Sequence, residues 1–503
     1  MNDKDKAAAP RTYGNWIQPT TPGIIPGIGT LGSALFFIGI FVALPFVFAN
    51  DWITAIAVFA IDIGIVALIS RRDKYGKSLG SKLVVAFGWW RSQRKKENMY
   101  RAGALGYSPF GSVLLPGILA KSSLSEGHDG TDRPFALLRV PRQHTYTIVL
   151  EASPAGEDLV DQEQIDTWVA RWGQLQADMA DEPGLTHFSA TIETLPANPL
   201  QLRQEVLSNQ DSTAASFSVK VLNDIVATYP QGSSAVKAYL AFSYTDRSRR
   251  GGRRRREQEM MGEIATRITY LCQKIQQTGA GACIPLTAQE LCRYVRIAYD
   301  PATAASFDEA AAYGQPIDLQ WDNCGPMASQ SSWSDYRHDS GRSVTWEMTT
   351  APRGLVQSNI LTRLLSPQSN VLRKRVTWLY RPVPADKTPD VIDSDVNAAD
   401  YAVNSMKKPP ERLKRRKRAA DQTASEEASG AGLANFSCLV TVTMGEASDK
   451  ADVMASVEAL GSAARIRLRP VYGSQDSAFA AALPLGLNMR QFTAVPAEYS
   501  DKL

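Results

Sequence analysis

Residues 31–69 read LGSALFFIGIFVALPFVFAN and then DWITAIAVFAIDIGIVALI, a run of 39 residues with only two charges, Asp51 and Asp62. A helix needs about 20 apolar residues to cross the hydrocarbon core of a bilayer, so the run is long enough for two. Asn50-Asp51 divides it and reads as the tip of a tight hairpin, because within lipid every backbone group must be bonded inside its own helix. Lys4, Lys6 and Arg11 precede the run, no cation lies at the tip, and Arg71, Arg72, Lys74, Lys77 and Lys82 follow it. The positive-inside rule then predicts cytoplasmic N- and C-termini and an external tip. The competing reading, a buried helical hairpin of a soluble core, is disfavoured by the length and the charged flanks. The expectation is a multi-pass protein of a cell membrane with a large cytoplasmic body.

Within the hairpin, Pro45 is expected to kink the outer half of the first helix, a distortion that neighbouring helices tolerate. Asp62 sits near the middle of the second. A lone acid inside a membrane marks a functional or pairing site by default, and a helix-packing contact is the alternative. Residues 78–96 mix Leu, Val, Phe and Trp with Lys and Arg, the composition of an interfacial helix with tryptophans at headgroup level or of an ordinary connector. The polar, Pro/Gly-rich residues 1–30 read as a mobile arm, with no removable signal peptide.

Charge is unevenly spread. The net +4 of the whole chain conceals +8 in residues 71–101, +7 in 247–256 and +7 in 407–418, which leaves −18 for the remainder. Positive charge is therefore confined to short runs beside acidic folded units. The five cysteines show no CxxC pairing and an odd count, as expected of reduced thiols.

Beyond the basic juxtamembrane linker, 70–133, the pattern becomes α/β. In 134–300, strands are expected at 135–140, 145–152, 187–195 and 235–244, with helices at 162–180, 214–228, 257–277 and 288–298. After a Gly/Ser/Asp-rich link, 301–332, a second round fills 333–487. Its strands are expected at 343–348, 371–380, 436–444 and 465–471, and its helices at 355–365, 395–406, 450–463 and from Gln475. A basic insert, 407–432, reads as a linker, and 488–503 as a tail. The predicted fold class is an α+β membrane protein: a transmembrane hairpin followed by two ferredoxin-like (split βαβ) cytoplasmic units, each an antiparallel sheet with helices on one face.

No catalytic constellation emerges. The only GK[ST] is Gly76-Lys77-Ser78, with Arg71 where a phosphate loop needs its first glycine. The four histidines are scattered, without metal-ligand spacing. Cys324, in the sequence WDNCG, reads as a structural or free thiol. No cofactor is expected. The basic residues remain as candidates: Arg71 and Arg72 at the membrane exit, Arg249, Arg250 and Arg253, Arg254, Arg255 and Arg256 in a strand–helix loop, and Lys414, Arg415, Arg416, Lys417 and Arg418 in the insert. Each run could bind phosphates of DNA without sequence readout. Neither of the later two runs carries an aromatic for base stacking. Anionic lipid or an acidic partner is an equal match, and a solvated loop is the plain alternative.

Residues 473–486 read GSQDSAFAAALPLG, following a strand–helix–strand pattern. Gln475, Phe479, Leu483 and Pro484 make this resemble the "Q…AF…LP" segment that closes the N-terminal, non-ATPase domain of the CagE/TrbE/VirB conjugation ATPases of type IV secretion. The front end is similar to the PrgI-type two-helix membrane subunit that partners those ATPases, and the whole layout resembles actinobacterial integral membrane proteins encoded beside separate conjugation ATPases. The Ala- and Arg-rich composition suits a high-GC bacterium. The motor is missing, so no ATPase residues carry over. The resemblance implies a non-catalytic scaffold in a bacterial cell membrane, part of a homo- or hetero-oligomeric secretion channel, docking a separate ATPase. Gln475, Phe479, Leu483, Pro484 and Phe492, with Met489, Val495 and Tyr499 in the tail, are the candidate docking residues. A second resemblance, to the EccE-type component of type VII secretion, rests on two membrane helices followed by a long α/β domain with Leu115-Pro116-Gly117 near its start.

Overall fold

The computed structural model describes residues 13, 14 and 16, and then 29–492 except for 104–105, 107–111, 155, 157–159, 197–205, 212, 229–233, 248–252, 316, 353, 369 and 446–447. Two apolar helices open it, α1 (Gly29–Phe48) and α2 (Trp52–Ser70), within two residues of the predicted bounds. Asn50 takes a left-handed φ of 59° at the tip, a conformation asparagine tolerates, and accepts a hydrogen bond from the Trp52 indole at 3.0 Å. Asp51 caps α2 by accepting from the Thr54 amide. Pro45 lies inside α1. A third helix, α3 (Leu79–Arg94), follows.

The rest is a mixed helix/sheet region. Its first part comprises β1 (Met99–Arg101), β2 (Ser123–His128), β3 (Pro134–Val140), β4 (Thr145–Ser153), α4 (Gln162–Asp181), β5 (Leu185–Pro196), α5 (Ser216–Thr228), β6 (Ser234–Thr245), α6 (Glu257–Ile275), β7 (Ala282–Pro285), α7 (Ala288–Tyr299) and α8 (Thr303–Ala312). The second comprises β8 (Ala328–Ser331), β9 (Tyr336–His338), β10 (Gly341–Thr350), α9 (Thr362–Leu365), β11 (Arg373–Pro382), α10 (Thr388–Asn404), α11 (Glu411–Ala428), β12 (Ala434–Met444), α12 (Lys450–Ala463), β13 (Arg467–Pro470) and α13 (Gln475–Ala482).

These strands form one 13-stranded sheet rather than two separate ones, in the order β1-β8-β9-β10-β12-β11-β5-β6-β4-β3-β2, with β13 beside β10 and β7 beside β4. The halves share one plan. In the first, β7-β4-β6-β5 lie side by side, with α4 and α6 in the crossovers and the β2–β3 pair added beyond β4. In the second, β13-β10-β12-β11 repeat that order, with α9 and α12 in the crossovers and the β8–β9 pair beyond β10. The join is antiparallel pairing of β5 with β11, from Lys374↔Thr194 to Tyr380↔Phe188. Each half thereby covers an edge strand of the other, an edge that would otherwise present unpaired amides and carbonyls.

Helices on one face alone do not describe this sheet. On one face Phe135, Ile148, Phe188 and Phe242 pack under α4 and α6, and Trp346, Val376, Val440 and Val442 pack under α12. On the other, Leu138, Val149 and Ala241 meet α7, α13 and residues 483–487. Threonines and serines on that second face look solvent-directed in the sequence, yet they are buried and bonded in pairs: Thr147 with Ser243 at 2.8 Å, Thr191 with Thr377 at 3.1 Å, and Thr345 with Thr441 at 2.9 Å. Satisfied hydroxyls can be buried at little cost.

Two expected linkers carry structure. The basic insert is a helix, α11, packed on α10, where Asp400 of α10 holds Lys417 at 2.7 Å; within α11 itself Glu411 holds Arg418 at 2.6 Å. The link 301–332 contains α8 and β8, and β1 from the juxtamembrane segment pairs with β8.

Candidate functional site

The hairpin packs along one narrow stripe. Gly39 and Ala43 of α1, with Ala55 and Val66 of α2, are buried. Asp62 lies in the same seam: a Cβ added to Gly39 would sit 2.1 Å from its carboxyl carbon. Glycine at 39 is thus what lets α1 approach the acid, and Asp62 Oδ2 has no hydrogen-bond partner among the described residues. The outward faces have no cover; Phe41 is 77 % exposed and Ile53 84 %. A contiguous apolar surface of this kind on a chain of 503 residues marks an interaction surface rather than a water-facing one. Trp52–Ser70 meets the length and composition needed to cross a membrane, and the described part of the first helix, Gly32–Phe48, falls just short in length.

Between hairpin and body lies a stapled collar. Asp73 accepts from the amides of Tyr75 and Lys77 at 2.9 and 3.0 Å and pairs with Lys82 at 2.8 Å. Burial pushes its carboxyl up, but the Lys82 ammonium and those amides outweigh it and hold the group below the usual carboxylate range. The collar is tied to the second half of the body at three points: Tyr75 to Glu458 of α12 at 3.1 Å, Lys77 to Glu347 of β10 at 3.3 Å, and Arg467 of β13 to the Lys74 carbonyl at 2.9 Å. Helix α3 completes it. Trp89 stacks edge-on against Trp333 at 6.1 Å, while Leu83, Val84, Phe87 and Trp90 are exposed, an apolar stripe at helical spacing. The Arg94 guanidinium lies 3.8 Å from the Trp90 ring. Arg71 and Arg72, at the exit of α2, are both exposed.

The segment from Gln475 to Leu487 is buried except at Asp476 and Ser477, which are half-buried. Gln475, Phe479, Leu483 and Pro484 are all buried, so none presents its side chain to a partner. They belong to a brace laid across both halves of the sheet. The Gln475 amide accepts from Thr345 N–H at 2.8 Å and donates to Thr345 O and Val471 O. Thr377 donates to Ala482 O at 2.6 Å. Gly486 O takes the His187 Nε2–H at 2.8 Å. Gly486 has a φ of +62°, and a Cβ there would fall 2.1 Å from Ser243 Oγ, so both conformation and space require glycine. Burial lowers the His187 imidazole to about 4 and keeps it neutral. Phe492 is partly buried against the same core, its ring 5.2 Å from the Arg142 guanidinium. Met489 packs there too, and Val495 and Tyr499 lie outside the described residues.

At the β5–β11 seam, Arg375 donates to Glu193 at 2.9 Å and to the Tyr294 hydroxyl at 2.9 Å. Sequence reasoning missed this buried pair; the charges standing mid-strand in RKRVTWLY and SATIETLP were its signal. Burial would raise the Glu193 carboxyl, but Arg375 and then Arg373 hold it low.

Two guanidiniums of the arginine loop, those of Arg253 and Arg255, are held in ion pairs. Arg253 pairs with Glu259 at 2.6 Å, Arg255 with Glu263, and the Arg256 amide with Glu259 at 3.0 Å. Arg254 makes an isolated backbone β-bridge with Arg247 and is exposed, and Arg249 and Arg250 lie outside the described residues. On α11, Lys414 lies 3.7 Å from Glu411, Arg416 faces the half-buried Asp395, and Arg415 is exposed. Cys324 is buried, burial drives its thiol well above the usual range, and it donates to Trp321 O. It is not poised as a nucleophile. Among the described residues no group of His, Cys, Asp and Glu could hold a metal. A cleft of about 740 Å³ beside Tyr239 and Tyr294 has its charges paired across its own walls, Lys237 with Glu151 and Arg293 with Asp308, both at 2.7 Å.

No known family model matches the chain, and no curated protein matches it.

Proposed function

We propose that this protein is a non-catalytic scaffold of a bacterial cell membrane, anchored by a two-helix hairpin with both termini in the cytoplasm. Its body is read as two ferredoxin-like split βαβ units joined edge to edge, and its task as holding a separate conjugation-type ATPase at the membrane in a DNA-transfer machine. The observation that carries the anchoring is the uncovered apolar hairpin continued into a collar bonded to the second half of the body at three points. Such a joint fixes the orientation of the body to the membrane, which a platform needs and a loose tether would not provide. The secretion identity rests on the resemblance of 473–486. Since that segment is buried, docking on this reading falls to exposed parts of the second half and to the tail after Leu487. Removing a covalent linker removes its high effective concentration, so a split ATPase needs an interface on the order of 1,200–2,000 Å².

Co-purification from detergent with an ATPase encoded by a neighbouring gene tests this, comparing the full chain with one ending at Leu487. The full chain retains the ATPase and the shortened one loses it. Equal retention moves the dock away from the tail, and retention by neither defeats the ATPase-scaffold reading.

A further inference from the structure

We infer that the cavity where the hairpin meets the body binds the headgroup of an anionic phospholipid. The cavity measures about 500 Å³, and its walls include Leu68 from the last turn of α2, Lys82 and Val85 from α3, and Trp333, Arg469 and Tyr472 from the second half of the sheet. Its position comes first. Helix α2 ends at Ser70, so with the hairpin across the bilayer the cavity opens at headgroup depth on the cytoplasmic side. The inference rests on that reading of the hairpin.

Its chemistry is the second observation. Arg469 is only 9 % exposed. Its Nη1 holds Glu347 at 3.0 Å and its guanidinium lies 5.5 Å from the Tyr472 ring, yet its Nε–H has no partner among the described residues. Glu347 is shared with Lys77 at 3.3 Å, so the Arg469 guanidinium, which lines the cavity, keeps positive charge for a phosphate oxygen there. Residues 71–82 supply five cations and 467–469 two more, against three nearby carboxylates, Asp73, Glu347 and Glu458. Asp73 is already occupied by Lys82 and two amides. The surplus is positive, the sign that attracts acidic lipid to a juxtamembrane segment.

The third observation separates lipid from a free anion. Leu68, Val85 and Trp333 give the cavity apolar walls continuous with the outer faces of α2 and α3. Inorganic phosphate has no use for them, whereas the glycerol and upper acyl carbons of a phospholipid do. Leu83, Phe87 and Trp90 of α3, exposed beside the mouth, would lie among the same lipids.

The full chain, placed in nanodiscs of phosphatidylcholine with a minority of phosphatidylglycerol, is extracted into detergent and weighed by native mass spectrometry. A single phosphatidylglycerol stays bound and phosphatidylcholine does not. Arg469→Gln, which leaves Glu347 still paired with Lys77, lowers retention about fivefold, the equivalent of one cation–lipid contact. Ala86 of α3 also lines the cavity, and Ala86→Trp fills it without altering a charge and abolishes retention while the chain still inserts. Equal retention of phosphatidylcholine, full retention by Ala86→Trp, or displacement of the lipid by excess inorganic phosphate overturns the inference. A chain that fails to enter nanodiscs defeats the hairpin reading as well; insertion without selective retention defeats the cavity alone.

Discussion

Two apolar stretches of this chain, 31–69 and 478–487, meet opposite fates. In the hairpin the large side chains point outward and only a stripe built around Gly39, Ala43, Ala55 and Val66 is buried. In the brace, AFAAALPLGL, every residue is buried, and its carbonyls accept hydrogen bonds from a sheet hydroxyl, Thr377, and from His187. What separates them is length and partners. The hairpin satisfies its backbone within two helices and needs nothing from outside. The brace is too short for that, so it must lie against a polar surface whose groups are small enough to let it approach.

The sharpest way to break this contrast is Gly486→Val. It places a branched side chain at positive φ where the nearest atoms are Ser243 Oγ and Thr147 Oγ1, at 2.1 and 2.5 Å. The brace then lifts, and thermal or chemical denaturation of the full chain in detergent registers a loss of about 4 kcal/mol or more.

Two histidines packed against the brace also give stability a pH dependence. His187 and His338 are both lowered to about 4 by burial, against about 6.5 in the unfolded chain. Below 6.5 the unfolded state takes up protons that the folded state refuses. Stability is therefore full above pH 6.5 and falls as the pH drops towards 4, by on the order of 3 kcal/mol for each histidine. Denaturation at pH 7 and pH 5 measures it, and His338→Gln flattens the slope by removing one of the two groups.

The smallest effect belongs to the hairpin. Gly39→Leu drives a side chain into Asp62 and separates the helices at a cost of about 2 kcal/mol. Phe41→Leu, on the exposed face, leaves melting unchanged. Comparing the two in detergent tells seam from lipid face.

Much of the fold is legible before the structure because periodicity reports local burial. Helix α12 spans the 450–463 expected from its spacing, and β11 is displaced by only two residues. What the sequence hides is non-local. Thr147, Thr377 and Thr441 look like the wet side of a strand until their cross-sheet partners are known. The basic run 407–418 looks like a solvated linker until Asp400 of α10 supplies a counter-charge to Lys417. Gln475 and Phe479 stand out in the sequence, but residue type alone does not distinguish a docking anchor from a brace. The collar was half visible, as cations beside tryptophans; its bonds to Glu347 and Glu458 lie hundreds of residues away in the sequence.

The central claim is that the hairpin spans a membrane and turns outside. A single cysteine at Asn50, in a chain whose five buried cysteines are shielded, is treated in intact cells with an impermeant maleimide, beside a second chain carrying cysteine at Arg418. The account predicts labelling at 50 in intact cells and at 418 only after permeabilisation. Labelling at 418 with protection at 50 would contradict it.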